Sequence, residues 1–471
     1  MKHFARRIGS ARRTGGRGAK AGVLLALVTL AGCTPPDRPR PQAAAVVAPP
    51  SWRTTIPGTA AIDAGWWDRF GDPELSRLVT AALANNPDIA IAAARIAEAR
   101  AQESLVRAAR YPTLDAGAGL IEQRALNAFG SASTGTSLQP VFQSAYEVDL
   151  FGRVSSQIAA ARLSGDAAVA AADATRLSVA AATASGYITL RGLDARIDTV
   201  RRTIASRAEA LRIARSRAEA GYTSQLELRQ AQAEYAGVTQ TLPQLELLAR
   251  RQENAIALLT GTAPRDIDRG ASIDRLVPPP IPAGLPSELL RRRPDIAQAE
   301  STLAASDATL AAARSQFLPS LRLTGSTGEV LSSSLPNPVG IWSVGASILA
   351  PLFRGGQLRA GLDTAAARRD QAAFAYQRTA LTAFREVEDA LAAIDRLAEQ
   401  RRALEDQRAA LAETLRHATN RYRAGYSPYL EQLDAQRALF NAELALEQVR
   451  ADQLTARVAL YQAMGGGWSR P

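Results

Sequence analysis

Apolar positions along this chain follow two different periods. Leu114, Ala116, Ala118 and Leu120 alternate with Asp115, Gly117 and Gly119, and Phe142, Tyr146 and Val148 alternate with Gln143, Glu147 and Asp149. Further on, Leu321 and Leu323 alternate with Arg322 and Thr324, and Trp342, Val344, Ala346 and Ile348 with Ser343, Gly345 and Ser347. A period of two predicts strands with one apolar and one polar face. Each pair brackets a Ser/Gly/Asn/Pro-rich stretch, about 122–140 and 331–340, which reads as a hairpin loop. Elsewhere, runs rich in Ala, Leu, Arg, Glu and Gln predict long helices over roughly 88–110, 154–219, 225–260, 295–316, 357–423 and 428–463. Ile197, Ile204 and Leu211 recur every seven residues, as do Leu397, Leu404 and Leu411. That spacing predicts supercoiled pairing with a neighbouring helix.

The order of these elements occurs twice. Asn86-Pro87-Asp88-Ile89-Ala90 and Arg293-Pro294-Asp295-Ile296-Ala297 each open a helical run, which Tyr111-Pro112 and Leu318-Pro319 stop. Ala220-Gly221-Tyr222-Thr223 returns as Ala424-Gly425-Tyr426-Ser427, and Leu226-Glu227 as Leu430-Glu431. The offset stays between 204 and 207 residues, so an internal two-fold repeat is expected. Gly221, Tyr222, Gly425 and Tyr426 then mark two helix–turn–helix corners, with Gly past one helix and Ser, Thr or Pro before the next.

Two hairpins give four strands, too few to close a barrel, and their open edges cannot lie in lipid. Three chains would supply twelve strands and close one. The 154–219 and 357–423 helices would each run about 100 Å at 1.5 Å per residue. They carry too many charges for lipid and so belong in an aqueous space.

The N-terminus reads as an export signal. Seven cations, from Lys2 to Lys20, precede a short apolar stretch ending in Leu30-Ala31-Gly32-Cys33. The stretch is too short to span a bilayer. Its end resembles a bacterial lipobox, which makes Cys33 the expected acylation site, with residues 1–32 removed. Cys33 is the only cysteine, so no intramolecular disulfide is possible. Removing those seven cations from the formal charge of +11 leaves +4, weak grounds for nucleic-acid binding. Thr34, in place of the aspartate of an inner-membrane retention signal, favours the outer membrane. Residues 35–50 are rich in Pro and Ala and read as an extended tether.

Enzyme chemistry is poorly provided for. His3 is lost with the signal and His417 lies alone on a long helix, leaving no ordinary triad and no zinc-ligand cluster. No Gly-rich run has the phosphate-loop pattern ending in Lys. A protein without such chemistry is a passive conduit or a scaffold, and no metal or cofactor beyond the acyl lipid on Cys33 is expected.

Taken with the lipobox, Trp66-Trp67 followed by Phe70-Gly71-Asp72-Pro73-Glu74-Leu75, the paired Pro-Asp-Ile starts, Arg421 to Tyr426, and Leu430 to Arg437 make the chain similar to one family. It resembles the outer membrane factors of tripartite efflux pumps, the TolC-like channels, in the lipoprotein branch serving resistance-nodulation-division transporters. The resemblance covers nearly the whole mature chain. It implies a mainly α homotrimer. A shared 12-stranded outer-membrane β-barrel, four strands per chain, would continue into a long periplasmic α-helical barrel.

The implied organisation is a signal peptide over 1–32, a lipidated tether and equatorial segment over 33–85, a first repeat over 86–262, a Pro-rich linker over 263–292, a second repeat over 293–464 and a tail over 465–471. It also implies a periplasmic adaptor (a membrane fusion protein) and an inner-membrane transporter as partners. Leu430, Asp434 and Arg437 match the family's periplasmic gate, with Arg437 expected to pair with Asp434 three residues away. Without the resemblance, those two charges read as solvated surface residues. Competing expectations are an outlet for type I protein secretion, a periplasmic adaptor and a coiled-coil lipoprotein.

Overall fold

The computed structural model describes residues 38–54, 62–126, 130–282 and 284–469. The expected signal segment and Cys33 lie outside them. By spatial contact the chain divides into two compact units, each assembled from three stretches of sequence. Among the described residues, the first holds 38–41 with most of 101–163 and 303–373; the second holds most of 42–100, 164–302 and 374–469.

Secondary structure follows the same order in both halves. Helix α1 (Pro73–Asn85) precedes the first series: α2 (Pro87–Arg107), β1 (Thr113–Leu126), β2 (Ala132–Val148), α3 (Arg153–Glu219), α4 (Gln225–Thr239) and α5 (Thr241–Leu259). After α6 (Pro286–Arg292) come α7 (Pro294–Ser315), β3 (Ser320–Ser332), β4 (Val339–Leu349), α8 (Gln357–Arg423) and α9 (Tyr429–Ala463). Helices α3 and α8 are unbroken over 67 residues each, as their sequences lead one to expect. The return helix of the first half is not one piece. It breaks at Gln240, because Pro243 lacks the N–H that would bond the carbonyl of Thr239. The second half has no proline there, and α9 runs through.

Within the first unit the strands form one antiparallel sheet in the order β1-β2-β3-β4. The hairpins extend further than their composition suggests. Residues 122–126 and 132–140, read as loop, are ladder: Glu122 faces Thr136 and Leu126 faces Ala132. Backbone pairing outweighs the turn-like composition of these polar ends. The register sorts the side chains cleanly. Ala116, Phe142, Thr327 and Trp342 share one rung, and Leu114, Ser144, Gly325 and Val344 the next rung of the same face. The opposite face carries Asp115, Gln143, Ser326 and Ser343 on a single rung, the two serine hydroxyls 2.8 Å apart. The apolar face has no cover: Leu114, Trp342 and Val344 are 74%, 78% and 82% exposed.

The second unit holds the largest core. Trp66 stacks on Tyr461 at 5.5 Å and packs edge-on against Trp67 and Phe70. Leu75, Leu78, Tyr187, Ile188 and Val458 close around them. Each such buried apolar side chain contributes about 1.5–3 kcal/mol. The Phe70-Gly71-Asp72-Pro73 motif has a local reason. Gly71 takes a left-handed conformation, Asp72 caps α1 by accepting from the Glu74 N–H at 2.8 Å, and Pro73 occupies the first turn. Asp72 is itself buried and also accepts from the Tyr187 hydroxyl at 2.8 Å and the Ala271 N–H at 3.0 Å.

The paired Pro-Asp-Ile starts perform parallel tasks. Asn86 accepts from the Asp88 N–H and donates to the Leu259 carbonyl at the end of α5. Arg293 grips Asp295 through two nitrogens and donates to the Ala463 carbonyl at the end of α9. The Pro-rich linker is docked: Tyr461 donates to the Pro280 carbonyl and the Val277 N–H to that of Phe70. The tether is held too. Arg369, almost fully buried in the first unit, donates to the carbonyls of Arg38 and Pro39. In the second unit Trp52 bonds the Gly284 carbonyl.

Candidate functional site

The two helical corners lie together in the second unit. Each closes by the same backbone device. The Tyr222 N–H reaches the Arg217 carbonyl at 2.8 Å and the Tyr426 N–H reaches that of Arg421 at 2.9 Å. Gly221 and Gly425, at φ +81° and +77°, supply the left-handed residue this motif needs. Tyr222 and Tyr426 point outward and are exposed. The corners differ at the next step. Ser224 caps α4 by accepting from the Glu227 N–H at 3.3 Å, whereas Pro428 opens α9 with no side-chain cap.

Glu227 then ties the corners together. It accepts from Thr223 on its own side and from the Tyr422 hydroxyl on the other. Arg217 sits 5.7 Å from the centroid of the Tyr422 ring, and Tyr422 packs on Tyr429 at 5.4 Å. Burial, reinforced by the bond to Glu227, pushes the Tyr422 phenol up to about 12. Beneath this lies a small core of Ala214, Ala231, Tyr429 and Leu433.

One turn further in, three helices meet at a charge cluster. Glu234 of α4 is buried, 2.7 Å from Arg437 of α9 and 3.7 Å from buried Arg207 of α3. Burial pulls the Arg207 guanidinium below its usual range, while the Glu234 carboxylate opposes that.

Leu430, Asp434 and Arg437 form one exposed stripe on α9, beside the buried stripe of Tyr429, Leu433 and Gln436. Asp434 stands 4.0 Å from Arg437, but the short bond of Arg437 goes to Glu234. Sequence reasoning quoted Glu227 and Tyr422 only as repeat and motif positions, and missed Glu234 and Arg207 altogether. A contact across separate helices leaves no spacing signal. The seven-residue spacing of Glu227 and Glu234, which puts both acids on one face of α4, was the trace that could have found Glu234.

Four buried side-chain atoms in the first turns of α9 and just before it, Ser427 Oγ, the Tyr429 hydroxyl, Gln432 Oε1 and Gln436 Oε1, have no hydrogen-bond partner among the described residues. Buried polar atoms of this kind are normally satisfied by water or a neighbouring molecule. His417 is exposed beside Arg416 and Glu413. Among the described residues no three potential metal ligands gather, and no helix is long and apolar enough to cross a membrane.

Comparison with known proteins gives a consistent result. The family model described as outer membrane efflux protein matches residues 78–262 and again 285–466. The probable efflux pump outer membrane protein TtgC of Pseudomonas putida is 34% identical over 452 residues, covering 93% of each chain. The outer membrane protein OprJ of Pseudomonas aeruginosa is 37% identical over 461 residues, covering 94% of this chain and 95% of that one. Among solved structures, the outer membrane channel CmeC of Campylobacter jejuni superposes with a TM-score of 0.83 at 25% identity, over 93% of this chain and 95% of that one.

Proposed function

The chain belongs to the outer membrane efflux protein family and is an outer-membrane efflux channel; from that premise we propose how it builds its pore. Three copies join, the β4 edge of one sheet pairing with the β1 edge of the next, into a barrel of twelve strands. The uncovered apolar face of the sheet carries this reading. A face bearing Leu114, Phe142, Trp342 and Val344 is costly in water and suited to lipid. The rung of Asp115, Gln143, Ser326 and Ser343 then lines a wet lumen. Two open edges cannot stay unpaired in a membrane, and closure removes them.

The helices continue the conduit through the periplasm to the two corners. There a periplasmic adaptor docks and links the channel to an inner-membrane transporter of the resistance-nodulation-division type. Relatives named as efflux pump components support these partners. Toxic small molecules and solvents are the cargo class, and energy comes from the transporter. Acylation at Cys33 anchors the mature chain to the outer membrane.

The stripe of Leu430, Asp434 and Arg437 is the gate. Threefold symmetry makes a ring of leucines that closes the pore by dewetting and a ring of carboxylates that favours cations. Arg437 holds the gate shut by bonding Glu234 of the neighbouring return helix. The orphan polar atoms of residues 427–436 find partners in adjoining copies or water.

Planar-bilayer conductance of the purified oligomer tests both parts. The wild type is expected to insert as a trimer of low conductance, and Asp434→Ala combined with Arg437→Ala to raise the conductance severalfold. A correctly assembled double variant with unchanged conductance would remove the gate; a monomer that never inserts would remove the barrel.

A further inference from the structure

The sheet face assigned to the lumen is not polar along its whole length. Asp115, Gln143, Ser326 and Ser343 share one rung, and the next rung toward the hairpin tips is Gly117, Val141, Gly328 and Ile341. Beyond it stand Gly119 and Gln139 on the first hairpin and Val330 and Val339 on the second. Polar side chains thus give way to a collar of β-branched apolar ones, where a water-filled pore needs only polar groups.

Backbone geometry fixes part of this collar. β2 and β3 pair at Leu138–Leu331 and again at Val141–Gly328, but not at Gln139 and Pro140 between them. Pro140 has no N–H to give the ladder. A Cβ at Gly328 would strike the Pro140 carbonyl oxygen and lie 2.7 Å from Val141 Cγ1. The Val141 side chain therefore fills the space that a side chain at Gly328 would take, and it is half-buried there. On its other side the floor is bare: a Cβ added at Gly117 or Gly119 would meet no atom within 4 Å. The result is a shallow recess beside a fixed apolar wall.

One free charge borders the recess. On this face of β1–β4 the ionised residues are Asp115, Glu147 and Arg322. Glu147 is held by Arg153 at 2.7 Å, and Arg322 lies two rungs from Asp115 on the side away from the recess. Asp115 stands two residues from Gly117, about 7 Å along the strand. Its carboxylate has no hydrogen-bond or ion-pair partner among the described residues. A free anion next to an uncovered apolar wall is complementary to a molecule with a cationic head and a compact apolar body.

We propose that this recess is a transit site for amphiphilic organic cations, with the charged head on Asp115 and the apolar body over Gly117 and Gly119 against Val141. The inference deepens the efflux-channel reading above and rests on it, because barrel closure is what makes this face an aqueous lumen. An exposed ion pair and one apolar contact each contribute little. Weak holding suits a conduit, whose cargo must enter a site and leave it.

The test is saturation-transfer nuclear magnetic resonance of benzyltrimethylammonium with the purified oligomer in deuterated detergent, the signal from empty micelles subtracted. Tetramethylammonium, the head alone, and benzyl alcohol, the body alone, are separate probes. Wild type should saturate with benzyltrimethylammonium at a clearly lower concentration than with either. Asp115→Asn should raise that midpoint about threefold and leave benzyl alcohol unchanged. Val141→Thr should raise it about threefold and leave tetramethylammonium unchanged. A midpoint in Asp115→Asn equal to that of wild type overturns the proposal, and so does one in Val141→Thr. Equal midpoints for benzyltrimethylammonium and tetramethylammonium would mean charge attraction alone and also overturn it. If Val141→Thr does not assemble, Asp115→Asn, which keeps the side chain's shape, decides. Native mass and bilayer insertion of the same wild-type sample separate the two ideas. An inserting trimer with unshifted midpoints defeats only the cation site, while single chains that never insert defeat the barrel as well.

Discussion

Arg437 donates to Glu234 at 2.7 Å, joining the two return helices just inside the corners. The other oxygen of Glu234 lies 3.7 Å from Arg207, so one buried carboxylate answers two cations. The two cations differ in setting: Arg207 is buried, whereas Arg437 is half exposed.

That difference sets an order of effects. Glu234→Gln strands Arg207 without a counter-charge and should cost about 3 kcal/mol of local stability. Arg437→Gln breaks a half-solvated pair and should cost about 1 kcal/mol or less. Hydrogen exchange of the 225–239 amides checks this: a loss of protection in Glu234→Gln well above that in Arg437→Gln is expected. Equal losses would mean that Arg207 is not held by Glu234.

Tyr422 gives the corner a pH limit. Its folded-state phenol ionises near 12, above the ordinary value of 10, because burial and the bond to Glu227 favour the neutral form. Stability from this group is therefore present in full below about pH 10 and is lost as pH rises from there through 12. Burial also holds the Tyr187, Tyr376, Tyr429 and Tyr461 phenols above their ordinary range, so ultraviolet titration should show several late-titrating groups, of which Tyr422→Phe removes one. A difference curve centred at pH 10 would contradict the buried contact.

The two faces of the sheet should respond oppositely to charge. Val344→Arg on the apolar face should cost about 2–4 kcal/mol near mid-bilayer and deplete the assembled oligomer in membranes. Ser343→Arg, one residue away on the polar face, should still assemble and shift the conductance. Equal assembly of both variants would argue against a lipid-facing side.

Asp72 is a capping residue and a buried acceptor at once. Asp72→Ala removes the α1 cap and leaves the Tyr187 hydroxyl and the Ala271 N–H without their acceptor, a combined loss of about 2–4 kcal/mol. A lowered thermal midpoint that Asp72→Asn partly restores is the expected result. No change would remove this network from the core.

Cys33→Ser addresses the anchor. The mature wild type is expected to carry acyl mass on Cys33 and the variant to lack it by intact-mass measurement. Identical masses apart from the substitution would exclude lipidation.

Helix ends were legible because their signals are local. Gly221 and Gly425 end α3 and α8 where the chain says they should, and the starts at Pro87 and Pro294 are visible from the same kind of cue. The break at Gln240 also had its signal, Pro243, lying within what reads as one helical run. The hairpin tips were less legible. Ser, Thr and Gly at 133–137 have the composition of a loop, yet they pair residue for residue with 121–125, since the ladder bonds the backbone whatever the side chains are.

By itself the sequence determined the periods, the two-copy order and the division of each strand into an apolar and a polar side. These depend on neighbours a few residues apart, where helix and strand geometry alone decide who faces whom. Tertiary structure decided which distant groups share a charge. Arg207, Glu234 and Arg437 come from three helices, and Asp72, Tyr187 and Ala271 from three separate segments. Their contacts follow from the packing of whole elements, and no spacing along the chain encodes them.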